Sequence, residues 1–199
     1  MCCRYWTDES PELRPIVEEM NRSSLLERWP EGARIVRSGE VRPTDVAPVV
    51  ASNRAGARAV FPMKWGFAGR TLLINARAET APDKPTFREA WAAHRCAVPA
   101  SGYFEWEHVP APGGATRAGE RYRIEAPGGG LWLCGLYRLE AGLPAFVILT
   151  REPGEGLRRL HNRMPLILPE ALVGEWIRPG ARPEALLGDA VTELRFERG

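Results

Sequence analysis

Between residues 11 and 29 the apolar side chains Leu13, Ile16, Val17 and Met20 recur at i, i+3, i+4 and i+7, the spacing of one buried helical face. Ser10 suits an N-cap and Pro11 the first helical position, so the pattern predicts a helix over 11–29. Further helices are expected at about 86–94 and, shorter, after Pro169 and after Pro183. Apolar and β-branched runs predict strands at 59–61, 72–75, 97–99, 122–124, 131–137 and 145–150. The Pro/Gly-rich stretches 110–119 and 126–130 read as hairpin loops. Strands outnumber helices and do not alternate regularly with them. That predicts an α+β fold on a mixed or largely antiparallel sheet.

At 199 residues the chain is expected to form a single domain over 1–199, long enough to bury a core without staples. It has no internal repeat, and its 18 prolines and 20 glycines suggest a loop-rich domain and not two domains on a linker. Hydrophobic and charged fractions of 44% and 26% are those of an ordinary soluble protein. No apolar run reaches membrane-spanning length and the first residues show no signal-peptide pattern, so no membrane association and a cytoplasmic location are expected.

A net charge of +2 does not by itself announce nucleic acid. Of 27 basic residues, two (Lys64 and Lys84) are lysine and 25 are arginine, the side chain that grips phosphate bidentately. The codon bias of a GC-rich genome accounts for most of them at least as well. Four cysteines without a Cys-x-x-Cys pair, and three scattered histidines, offer no zinc ligand set; no metal and no cofactor are expected.

Cys2 directly follows Met1. Loss of Met1 turns it into a 1,2-aminothiol, whose amine condenses with an aldehyde to an imine and whose thiol then closes a five-membered thiazolidine. An α-amine titrates at about pH 7.7–8.0, so an appreciable fraction is neutral and nucleophilic under physiological conditions. A cysteine at position 2 is usually incidental; company elsewhere in the chain decides. That company is the set of four segments Cys2-Cys3-Arg4-Tyr5, Trp65-Gly66-Phe67 followed by Asn75-Ala76-Arg77-Ala78-Glu79-Thr80, Arg95-Cys96 through Gly102-Tyr103-Phe104-Glu105-Trp106, and His161-Asn162-Arg163-Met164-Pro165.

These motifs, in this order from Cys2 to about Leu168, closely resemble those of the SOS response-associated peptidase family, also described as abasic-site processing proteins. The resemblance implies a central curved sheet with a barrel-like portion, flanked by helices. It implies binding to single-stranded DNA, capture of the ring-opened abasic-site aldehyde by Cys2, autocatalytic release of Met1 and lyase-like chemistry. It also implies site roles: Cys2 as nucleophile, Glu105 as acid/base, His161 as proton shuttle and Asn75 as the holder of the sugar. Arg4 and Arg77 match phosphate clamps, with Arg163 a weaker candidate that instead pairs with a carboxylate if it lies inside the fold. Trp65 and Trp106 are candidates for base stacking, Phe67 more readily for core packing, and Thr150 and Glu79 for support. Replication-fork proteins are the further partner class it leaves open, and a monomer suffices.

Several positions depart from the family pattern: Cys3 stands where many relatives have glycine, and Glu40-Val41-Arg42-Pro43 where Asn-x-Ala-Pro is usual. Asn162 replaces a common aspartate, and Trp65-Gly66 is not followed by Pro-x-Trp. Two other readings stay open on the residues: an N-terminal-nucleophile amide hydrolase using the Cys2 thiol, and a non-catalytic single-strand-binding module.

Overall fold

The protein is described here from a computed structural model covering residues 2–199. The expected removal of Met1 falls outside the described residues. The elements in chain order are β1 (Arg4–Thr7), α1 (Arg14–Asn21), β2 (Gly39–Val41), β3 (Val46–Ser52), β4 (Arg58–Trp65), β5 (Asn75–Arg77) and α2 (Arg88–Ala93). They continue with β6 (Arg95–Ala100), β7 (Gly102–Pro110), β8 (Thr116–Glu125), β9 (Leu131–Glu140) and β10 (Leu143–Arg151). The last are β11 (Met164–Pro165), β12 (Ile167–Leu168), α3 (Glu170–Ile177) and β13 (Arg195–Arg198).

Two sheets form an α+β fold. The first runs β13-β8-β7-β1-β2, every neighbouring pair antiparallel. The second runs β11-β10-β4-β3-β6-β9-β12, and β9 also pairs with β10. Strands β4, β3, β6, β9 and β10 therefore curl into a partly closed barrel, whose seam is the short parallel contact of Ala145 and Phe146 with Lys64 and Trp65. Strand β5 extends that parallel edge, Asn75 to Arg77 pairing with Ile148 to Thr150.

The barrel strands are apolar on both faces. In β3, Ala47, Val49 and Ala51 join the cluster that also holds Tyr5, Trp65 and Phe146, while Val50 joins the cluster beneath the helices. Such a strand reads as an unbroken apolar run, without period-two alternation; no strand is expected from the sequence at 46–52, where Pro48 weighs against one. Helix α1 packs on β3 and β4, and α2 and α3 on β6 and β9.

Arg95 ties these layers together. It is buried and donates to Trp91 O and Ala92 O at the end of α2, and to Trp176 O and Arg178 O at the end of α3, at 2.6–2.9 Å. A cation on two helix C-termini satisfies their orphan carbonyls and complements both dipoles.

The helix expected over 11–29 is broken. Residues 11–13 form a turn, α1 starts from Leu13 with Pro15 in its first turn, and a separate 3-10 segment spans Ser24–Arg28. Ser23 starts that segment, its hydroxyl accepting from Leu25 N, a local bond that competes with helix continuation. Leu13, Ile16 and Met20 are nonetheless buried as the periodicity required. The strand expected at 72–75 is displaced to Asn75–Arg77, leaving Leu72 exposed. The 110–119 loop shrinks because β7 reaches Pro110 and β8 begins at Thr116. Residues 170–177 form the helix after Pro169, and the segment after Pro183 is 3-10.

Gly102 admits the N-terminal strand. It pairs with Trp6, and a Cβ on Gly102 would lie 2.1 Å from the Trp6 ring. Gly102→Val is expected to cost on the order of 2 kcal/mol or more through overpacking. Arg95→Met, which orphans buried carbonyls, is expected to cost on the order of 3 kcal/mol. Urea denaturation measures both.

Candidate active site

Strand β1 lies between β2 and β7, so the start of the chain is a central strand and not a frayed end. Its register, Arg4 on Phe104 and Tyr5 on Tyr103, carries Cys2 and Cys3 alongside the Glu105 segment of β7. Beneath it the Tyr5, Trp65 and Phe146 rings pack at 5.3 and 6.2 Å between successive centroids. Cys2 is 0% exposed, its thiol donating to Arg4 O at 3.6 Å, and Asn75 Nδ2 donates to Cys2 O at 2.8 Å. Burial pushes the Cys2 thiol well up, and the Glu105 charge adds to this, so at neutral pH it is a thiol. Asn75 Oδ1 is buried with no hydrogen-bond partner among the described residues.

Glu105 and His161 are 4% and 7% exposed, with Glu105 Oε1 3.9 Å from His161 Nε2. Burial raises the Glu105 carboxyl and lowers the His161 imidazole to about 4, the adjoining His108 acting in the same direction on His161. His161 Nδ1 accepts the Arg163 backbone N–H at 3.0 Å. The neutral ring therefore carries its proton on Nε2, the nitrogen facing Glu105. Both groups are pushed toward their neutral forms, and their proximity suits them to pass a proton.

Arg163 is drawn into the fold. Its guanidinium binds both Glu79 oxygens at 2.9 and 2.8 Å and Thr150 O at 2.6 Å, and its side chain is only 11% exposed. Thr150 in turn donates to Ala76 O at 3.3 Å. In this geometry Arg163 holds the loop that bears His161, and its carboxylate partner leaves no free fork for a phosphate. Trp65 is 0% exposed, donates Nε1–H to Ile74 O at 2.9 Å and offers no open face for a base. Phe67 is equally buried. The stacking expected of Trp65 and the phosphate contact expected of Arg163 thus give way to packing and ion pairing.

Trp106 is half-buried, with the Arg4 guanidinium 5.5 Å from its ring centroid. Arg4 pairs with Glu40 at 2.9 Å; Arg42 does the same at 2.9 Å, and Arg121 approaches Glu40 at 3.9 Å. Despite partial desolvation, these cations hold the Glu40 carboxyl below its usual range. Arg77 is exposed at the end of β5 and makes no ion pair among the described residues.

Two neighbours escaped the sequence reading. Glu40 was visible only as a departure from the family motif. His108 lies beyond a register shift between Trp106 and His108 that turns its ring onto His161, at 4.1 Å between centroids. A bulge of this kind leaves no mark in a hydropathy pattern.

The fold and this arrangement define an α+β protein whose Cys2 is buried beside a carboxylate–imidazole pair at the rim of a small barrel. The chain belongs to the SOS response associated peptidase (SRAP) family, whose model matches residues 1–196. Abasic site processing protein YoqW of Bacillus subtilis strain 168 is 34% identical over 196 residues, covering 90% of this chain and 81% of that protein. A second protein so named in that strain, YoaM, is 34% identical over 113 residues, 54% of this chain and 48% of its own length. The fold is shared with a crystal structure of a phage-related protein from Bordetella bronchiseptica, at a TM-score of 0.74 and 24% identity, over 100% of this chain and 94% of that one. No helix among the described residues is long and apolar enough to cross a membrane.

The His161 environment has a consequence for stability. An imidazole held near 4 when folded, against 6.5 when exposed, takes up a proton on unfolding between those values. Its contribution is therefore complete above about pH 6.5 and is lost as pH falls toward 4. In thermal melts across that window, His161→Gln is expected to show a shallower fall in Tm than wild type; equal slopes would place the imidazole in water.

Proposed function

We propose that this protein processes abasic sites in single-stranded DNA by trapping their ring-opened aldehyde on Cys2 as a thiazolidine. The observation that carries the reading is the convergence of Cys2 with Asn75, Glu105 and His161 at one buried point. Family membership and relatives named abasic site processing proteins support it.

Reaction requires hydrolysis of the Met1–Cys2 peptide bond, in which water adds to the Met1 carbonyl and the Cys2 nitrogen leaves as a free amine. That amine attacks the aldehyde carbon, and the resulting carbinolamine loses water to give the imine. The leaving hydroxyl needs a proton, and the raised carboxyl of Glu105 supplies one. The Cys2 sulfur then bonds to the imine carbon, and the thiol proton passes to the ring nitrogen.

His161, neutral at pH 7, moves a proton on and off the sugar oxygen during ring opening and reversal. Asn75 Oδ1, an unused acceptor beside Cys2, takes a sugar hydroxyl. Arg4 and Arg77 bind the flanking phosphates and Trp106 stacks on a neighbouring base. Cys3 cannot replace Cys2, because its nitrogen lies in a peptide bond. In this reading peptide cleavage is confined to Met1.

Single-stranded DNA with one abasic site, run on a denaturing gel, tests the proposal. Wild type and Cys3→Ser are expected to give a shifted band absent with intact DNA, and Cys2→Ser none. Glu105→Gln is expected to slow band formation by about 10²-fold. No band from protein shown by mass spectrometry to lack Met1 would overturn the reading. Arg77→Ala should weaken binding to intact single strands and reduce the slope of log K against log salt by about 0.7, the value for one lost phosphate contact.

A further inference from the structure

The two ends of the barrel differ. Strand β10 passes the Cys2 site at Ile148, which pairs with Asn75, whereas its beginning, at Pro144, lines an open cavity of about 880 Å³ roughly 13 Å away along the strand. All five barrel strands contribute to that mouth: Ser52 of β3, Phe61 and Met63 of β4, Arg95 of β6, Tyr137 of β9 and Pro144 of β10. Barrel mouths of this size are a recurrent place for small ligands.

The chemistry of the lining is selective. Phe61, Met63, Pro144 and Ile177 make an apolar floor. His94 and Tyr137, half-buried with ring centroids 5.1 Å apart, add an aromatic wall. Among the residues that line it there is no aspartate or glutamate, and Arg28 and Arg54 stand on the rim, both exposed and without an ion pair among the described residues. Arg28 reaches the β9–β10 turn, its Nη2 3.0 Å from where a Gly142 Cβ would stand. The other two lining arginines are committed, Arg95 to backbone carbonyls and Arg138 to Glu140.

We propose that this mouth is a second binding site, separate from the Cys2 site, for a small aromatic phosphate of the nucleoside monophosphate type. The base lies on the apolar floor against Tyr137 and His94, and the phosphate is held by Arg28 and Arg54. The charge of the rim selects an anion, and the rings select a flat body over an alkyl one.

Calorimetric titration of wild-type protein with deoxyguanosine monophosphate tests this, with deoxyguanosine and inorganic phosphate as separate ligands. Saturable binding of the nucleotide is expected, stronger than either half alone and weakened by about tenfold or more in Arg28→Ala/Arg54→Ala. NMR shift changes should centre on Tyr137 and His94, and the double variant should still crosslink abasic DNA as wild type does. Absence of saturable binding, equal binding by the double variant, or phosphate binding as tightly as the nucleotide would each overturn the proposal. So would shift changes centred on Arg4 and Arg77, which would place the nucleotide on the DNA-binding face.

Discussion

Everything at the Cys2 site depends on the insertion of β1 between β2 and β7. Chain termini fray unless something holds them, and here the hold is two ladders of backbone hydrogen bonds plus the Tyr5 and Trp6 side chains. Tyr5 faces the barrel, against Trp65. Trp6 turns the other way and rests over Gly102, tilted against Phe104 at 4.8 Å between centroids. Because side chains alternate along a strand, fixing these two rings also fixes which way the backbone at Cys2 and Cys3 enters the site. A one-residue slip would exchange Tyr5 and Trp6 and remove Cys2 from Asn75. The aromatic cluster thus sets the aim of the chain start, and the glycine in Ser101-Gly102-Tyr103 is a packing requirement as much as part of a motif.

The second constraint is dielectric. Glu105 and His161 lie where water is excluded, and each is displaced toward its neutral form. Glu79 shows the opposite outcome a short distance away. Although desolvation works to raise its carboxyl, the Arg163 fork holds it below its usual range. One carboxylate is thus kept ionised by an arginine that positions the His161 loop, while the other is left exchangeable. The division follows from where the guanidinium goes, and it makes Arg163 a support for the site.

The ordered motifs made the family legible, and they named Cys2, Asn75, Glu105 and His161, which the fold brings together as the candidate centre. The same motifs could not separate Trp65 from Trp106. Both are tryptophans within the motif segments, but one points into the barrel and the other across the outer sheet, and only the strand register decides that. Arg163 was undecided for the same reason, since an arginine reads alike whether it meets a phosphate or Glu79. Strand β3 went unseen because Pro48 interrupts its apolar run, and the break after α1 because a hydroxyl at Ser23 outcompeted a good apolar repeat. What was missed is tertiary: direction, register and partner, none of which resides in a local window.

On the proposed reaction, the buried protonated thiol imposes an order on the chemistry. A thiolate at rest would add to aldehydes indiscriminately and oxidise readily, whereas the Cys2 thiol is held neutral by burial. The amine therefore acts first, and the sulfur becomes nucleophilic only as its proton departs to the forming ring nitrogen. Cys3, half-buried and also raised, has no amine to pair with and so no imine to close upon. Selectivity between the adjacent thiols then follows from connectivity and not from acidity, and a single peptide bond decides which cysteine can close the ring.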